Sequence, residues 1–217
     1  YFTWRGIDRA SSRSAILLAS LGLPEGSRVA VQGEKSVEAL VVNVSNALVT
    51  HSLDDYDKKG LLQSIEAGAW PMVEHTRKIR RVFGAYPRYV IGMSSTGPDH
   101  FAVGYDFVAA SKSVMETLCR YMCYRLHGED VRINVLRSRS VRTTAFDSTF
   151  GKEVVEFASR FTNERHFLKP EEVGEAALAL ASGLMDGVNG QVLTIDRGTT
   201  FFDDLMRLYE EREALGL

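Results

Sequence analysis

Cysteine is nearly absent from this 217-residue chain: Cys119 and Cys123 are the only two, one helical turn apart. On a helix they share a face but lack the partners of a metal site. They read as packing thiols of a reducing compartment, which excludes a disulfide scaffold. The five histidines (His51, His75, His100, His127 and His166) show no metal-ligand spacing, so no metal is expected. No apolar run reaches the roughly 18 residues of a membrane-spanning helix. The first residues lack the layout of a secretory leader. The expectation is a cytoplasmic protein with no membrane partner. An excess of either charge is missing too: 26 basic residues face 28 acidic ones, for a net charge of -2. That balance excludes the basic surface of a nucleic-acid binder.

What is present is ordinary globular material, with 45% hydrophobic and 25% charged residues in a chain long enough for one good core. Helical periodicity runs over residues 8–21, a turn follows at 23–26, and residues 29–31 read as a short strand. Residues 34–40 allow a helix start, whereas the apolar run over 39–44 reads as a strand buried on both faces, as in a parallel sheet. The overlap of these two readings marks a join near residues 35–42. Residues 57–83 form a long helical stretch broken near Trp70-Pro71, because proline cannot donate to the helical ladder. Strands are expected at 89–93, 132–136 and 191–195, and helices at 105–126, 170–183 and 203–212. A partly helical connection is expected over 143–161. Strands alternating with helices predict an α/β fold with a parallel sheet and helices on both faces.

The most chemical stretch is Ser94-Ser95-Thr96-Gly97, followed by Tyr105 and Ala109-Ala110-Ser111-Lys112. A hydroxyl-bearing turn closes a strand, and a helix opens with a phenol and an ammonium two turns apart. Such a set can polarise or protonate a carbonyl. From about residue 40 to 202 the chain resembles the short-chain dehydrogenase/reductase family. VVNVSNA is similar to the fourth-strand segment, VIGMSS to the strand ending in the catalytic serine, and ASK to the end of the Tyr-x3-Lys motif. RINVLRSRSVRT is similar to the family segment usually written V-N-x-[IV]-x-P-G-x-[IV]-x-T, and NGQVLTIDRG to the last strand. The resemblance implies a Rossmann-like sheet and an NAD or NADP cofactor. It assigns Ser95, Tyr105 and Lys112 to catalysis, and Asn43, Lys112, Val141 and Thr143 to cofactor binding.

Val108 stands four residues before Lys112, where the family tyrosine is usual. Tyr105 gives Tyr-x6-Lys instead, the spacing of the enoyl-acyl-carrier-protein reductase branch. Seven helical residues turn through about 700°, so the two side chains point within roughly 20° of each other, about 10.5 Å apart along the axis. The alternative for Tyr105 is a half-exposed aromatic at a helix start. Arg139 replaces the small glycine that the family places beside the cofactor. Three roles are open to it: clamping a phosphate or acidic substrate group, blocking the nicotinamide pocket, or pointing into solvent.

The glycine-rich turn that holds a pyrophosphate is reduced to Arg5-Gly6-Ile7-Asp8-Arg9-Ala10, with an aspartate where phosphate would be repelled. The stretch LGLPEGSRVAVQGEKSVEAL resembles the N-terminal region of adenylate-forming acyl-CoA ligases, particularly malonyl-CoA synthetases. The expected organisation is a ligase-like segment over 1–41 and a reductase-like domain over 42–217, its N-terminal part truncated or replaced. The ligase-like residues are expected either to imitate the first βαβ unit through residues 29–31 or to form a detached appendage.

Three functions follow. The first is an NAD(P)H-dependent oxidoreductase acting on an enoyl or carbonyl thioester. The second is a non-catalytic relic or interaction subunit. The third is cofactor-independent chemistry on the same fold. A homo-oligomer is expected through helices 57–83 and 105–126, whose Trp70, Met72, Met115, Tyr121 and Met122 exceed what one sheet face can cover.

Overall fold

The computed structural model describes residues 28–33, 36–42, 50–143, 146, 152–158, 160–162 and 166–216. Among the described residues five strands form one sheet in the order β1-β2-β3-β4-β5. They are β1 (Arg28–Gly33), β2 (Ser36–Val42), β3 (Tyr89–Ser95), β4 (Arg132–Ser138) and β5 (Val192–Ile195). The last four are mutually parallel, with Leu40 opposite Val90, Val90 opposite Ile133 and Leu136 opposite Leu193. The four strands expected from apolar runs therefore share one sheet. The helix reading of 34–40 gives way to β2, whose Leu40 and Val42 lie in the core. An apolar run with β-branched residues suits a strand buried on both faces better than a helix with one wet side.

The structure replaces the expected βαβ imitation with a hairpin. β1 pairs antiparallel with β2, Arg28 opposite Val42, and two residues join them. A parallel crossover needs a dozen or more residues, so this connection admits only an antiparallel return. Among the described residues, 28–33 thus form an edge strand of the sheet rather than a βαβ crossover, and residues 1–27 of the ligase-like segment lie outside them. The helix expected at 8–21, the glycine-poor turn at 5–10 and Asn43 lie outside the described residues.

The broken helical stretch resolves into α1 (Lys58–Gly68) and α2 (Trp70–Phe83), with the break at Ala69 beside Pro71. Asp57 caps α1 by accepting from the backbone N–H groups of Lys59 and Gly60. Gly84, at φ 79°, ends α2 in the left-handed conformation that glycine adopts without strain. The other helices are α3 (Asp106–Arg125), α4 (Lys152–Ala158), α5 (Pro170–Ala181) and α6 (Asp204–Leu215).

Side chains alternate across the strands and build two cores. Leu40, Val42, Val90, Ile133 and Val135 pack with Met72 of α2 and with Met115 and Cys119 of α3. On the opposite face Ile91 and Leu136 meet Leu180 of α5. Met72 and Met115, expected to be surplus surface, are fully buried within the chain, whereas Trp70, Tyr121 and Tyr124 are exposed. Gly68 lets α1 approach α3, since a Cβ there would lie 2.5 Å from Ser111 Oγ. Among the described residues no helix is long and apolar enough to cross a membrane.

Candidate functional site

In a parallel sheet the carboxyl ends of the strands open onto loops, and ligands of such folds collect there. Here β3 ends in Ser94 and Ser95, β4 ends in Arg137 and Ser138, and α3 begins at Asp106 after the loop of residues 96–105. The N–H of Thr96 donates to the Ser138 carbonyl and ties the two strand ends together.

Lys112 lies on the face of α3 turned to the sheet and is only 4% exposed. Its Nζ donates to the Met93 carbonyl at 2.9 Å, which aims the ammonium at the end of β3. Burial pushes its pKa down to about 8, while the neighbouring Glu116 carboxylate pulls the other way. A lysine so placed holds its proton near neutrality but releases it easily.

Tyr105 is the N-cap of α3, with φ -107° and ψ 6°, and its ring rests on the loop before it. A Cβ added to Gly97 would lie 2.8 Å from two carbons of that ring and 3.1 Å from Ala109 Cβ, so only a glycine leaves the ring its place. The Gly97 N–H in turn donates to Ser95 Oγ at 3.4 Å. Gly97 therefore joins Ser95 and Tyr105 through one residue. Tyr105 also lines an open cleft of about 240 Å³ with Pro98, His100, Phe101 and Asp106. Val108, at the usual tyrosine position, is buried at 2% exposure and contributes packing. Asp106 anchors the helix start: Thr50 and Tyr56 both donate to its carboxylate, which lowers its pKa and draws the loop after β2 against α3.

Val141 and Thr143 follow β4. Ser140, at φ 44°, turns the chain so that Val141 bridges to Leu168. Thr143 Oγ1 accepts from the Phe146 N–H at 3.1 Å. The structure thus links Ser95 and Tyr105 through Gly97, holds Lys112 on the Met93 carbonyl near the end of the same strand, and sets Val141 and Thr143 on the loop beyond β4. Arg139 does not point into solvent. Its Nη1 donates to the Thr199 carbonyl at 2.9 Å, and it lies near Asp196, beside a second cavity of about 160 Å³.

Sequence reasoning missed Glu116 and Arg137. Glu116 is 4% exposed, accepts from Ser94 Oγ at 2.6 Å and is forked by Arg137. The signal was available: Glu116 follows Lys112 by four residues on a face otherwise made of Val108, Met115 and Cys119. Arg137 interrupts an apolar strand in the same way.

The donor types suit the ribose end of a dinucleotide, since an ammonium and two hydroxyl-bearing residues lie on the strand–loop–helix at the carboxyl end of β3. Tyr105, Lys112 and Ser95 could hold or protonate a carbonyl compound beside it.

The family profile described as enoyl-(acyl carrier protein) reductase matches residues 28–200. The NADH enoyl-[acyl-carrier-protein] reductase of Synechocystis sp. is 26% identical over 185 residues, covering 77% of this chain and 72% of the relative. That of Nostoc sp. is 28% identical over 110 residues, covering 50% and 43%. The chain spans about half the length of the first curated relatives it matches, 43% and 51%. The enoyl-[acyl-carrier-protein] reductase of Aquifex aeolicus superposes with a TM-score of 0.66 at 16% identity, covering 78% of this chain and 67% of the other. An oxidoreductase of the short-chain dehydrogenase/reductase family from Burkholderia thailandensis gives 0.67 at 18%, covering 93% and 74%. These structural likenesses carry the Rossmann-like fold. Since the profile match runs from β1 to the turn after β5 and takes in Ser95, Tyr105, Lys112 and Thr143, the chain belongs to the enoyl-(acyl carrier protein) reductase family of short-chain dehydrogenases/reductases.

Proposed function

We propose that this protein is an NAD(P)H-dependent oxidoreductase that reduces an enoyl or carbonyl thioester. The observation that carries the reading is Lys112: a buried ammonium held on the Met93 carbonyl, near the end of the strand that closes on Ser95. A charge is costly in such a place unless a ligand or partner uses it. The names of the relatives support the same direction, as NADH reductases of enoyl-acyl-carrier-protein substrates.

The dinucleotide supplies a hydride when bound. Lys112 holds a ribose hydroxyl and, by its charge, favours the ionised phenol of Tyr105. The Ser95 hydroxyl orients the thioester carbonyl. Tyr105 donates its hydrogen bond, or its proton, to the oxygen on which enolate charge develops. Thr143 and Val141 hold the carboxamide end, and Asn43 completes the cofactor side. The exposed Leu62, Trp70, Tyr121 and Tyr124 on α1 to α3 support a homo-oligomer. The ligase-like reading of residues 1–41 remains part of the proposal.

The test is reduction of an enoyl thioester, followed by the loss of NADH or NADPH. Tyr105→Phe should lower turnover by roughly 10²–10⁴, the usual worth of a positioned acid, with cofactor affinity almost intact. Equal turnover in parent and variant would end the reading.

A second reading has its own observation. The antiparallel β1–β2 hairpin occupies the place beside β2 in this sheet, and it favours an interaction subunit without a dinucleotide site. Absence of NADH and NADPH binding would select it.

A further inference from the structure

Among the described residues, Arg137 and Glu116 form the most buried ion pair, with side chains 15% and 6% exposed. Arg137 lies directly opposite Ser94 across the β3–β4 ladder. Its Nε donates to Glu116 Oε1 at 3.0 Å and its Nη2 to Oε2, while the same Oε1 accepts from Ser94 Oγ. The third arm, Nη1, reaches the Asp99 carboxylate, in the loop that runs from Gly97 to Tyr105. One guanidinium therefore ties together β4, the end of β3, helix α3 and the loop that carries the phenol.

Stability alone is a weak reason for such a pair, because well-packed apolar side chains of the same volume often do as well or better. What an apolar pair lacks is direction. The planar fork fixes both the angle and the distance of each partner, and a lysine at the same position would hold only one of them.

We propose that Arg137 is a positioning residue that clamps the loop of residues 96–104 to the end of β4, and thereby sets where Tyr105 stands relative to Lys112 and Ser95. The inference rests on the site reading given above, since the placement matters only where those three side chains act together. Glu116 serves both sides of the clamp. It holds Arg137, and its carboxylate lies one helical turn from Lys112. The groups that act on Lys112 are the Met93 carbonyl from β3 and the Glu116 carboxylate from α3, with Arg137 of β4 and the Ser94 hydroxyl held on that same carboxylate.

The test uses the full chain with Asp99→Ala, Arg137→Lys and Glu116→Gln. Asp99 is 54% exposed, so its variant folds even where a change in the buried pair does not. Amide hydrogen exchange over residues 96–104 is expected to quicken about tenfold in Asp99→Ala and Arg137→Lys, while exchange in β3 and β4 stays at the parent rate. Turnover should fall about tenfold to a hundredfold, the cost of a misplaced reacting group, with the Michaelis constant for the dinucleotide unchanged. Glu116→Gln should move the proton loss of Lys112 to lower pH, read from carbon-13-labelled lysine. Parent-like loop exchange in both Asp99→Ala and Arg137→Lys would overturn the clamp, as would exchange that quickens only together with the strands. A parent that binds neither NADH nor NADPH would overturn the reductase reading instead, and loop exchange would still decide the clamp.

Discussion

The two sides of the sheet are built to different standards. At the β1–β2 edge, a two-residue connection returns the chain on itself and the pairing is antiparallel. At the carboxyl ends of β3 and β4, side chains from two strands, one helix and one loop converge, and the Glu116 carboxylate alone joins Ser94 and Arg137. Closing an edge requires only backbone partners, and a strand of either direction supplies them. Assembling a site requires particular side chains at particular angles. The sheet can therefore change its edge without disturbing the cluster around Lys112.

The strongest way to break that comparison is to unload the hairpin side. Leu40 of β2 is 2% exposed and packs in the same core as Met115 and Ile133. Leu40→Ala should cost about 2–5 kcal/mol of stability, measured by denaturant unfolding, with the chemistry of Lys112 unaffected in the folded fraction. A cost below about 1 kcal/mol would make residues 28–42 an appendage rather than part of the core.

A smaller effect sharpens the other side. Gly97→Ala puts a methyl group 2.8 Å from the Tyr105 ring, and the ring must move. Turnover should drop about tenfold to a hundredfold while the thermal midpoint shifts little. A large loss of stability with turnover retained would mean that the Tyr105 ring is packing rather than chemistry.

The smallest expected effect is a pH dependence. Burial holds the Lys112 pKa at about 8 in the folded chain, below its ordinary 10.5. Below pH 8 the lysine is charged in both folded and unfolded states, so its burial destabilises in full. Between about 8 and 10.5 the unfolded chain binds more protons, and the contribution of this group to stability rises with pH. The proposed ribose binding by the ammonium runs the opposite way and should weaken as pH passes 8. Lys112→Met should remove the rise when thermal midpoints are compared across that range. An identical pH profile in parent and variant would place the titration elsewhere.

Much of the fold was legible because the β2, β3 and β4 runs are apolar on both faces, a pattern that parallel strands produce and few other elements share. The break at Pro71 was legible for a local reason, the missing amide donor. The direction of β1 was not, since a short strand reads the same whether it pairs parallel or antiparallel. The strand–loop–helix that carries Ser95, Tyr105 and Lys112 was legible from its local pattern, and their proposed roles come from the family resemblance. Glu116 and Arg137 each interrupt an apolar pattern, but their pairing was not legible, because the partners are 21 residues apart and meet only once the strands are in register. The burial of Met72 and Met115 was likewise set by packing of α2 and α3 on the sheet rather than by helical periodicity.

The central proposal is Lys112 as the holder of a dinucleotide. Titration of the parent chain with NADH and NADPH, followed by cofactor fluorescence at neutral pH, should give saturable binding to at least one of them. That binding should be lost in Lys112→Ala and retained in Tyr105→Phe. Absence of binding to both cofactors, or binding that Lys112→Ala leaves unchanged, would contradict it.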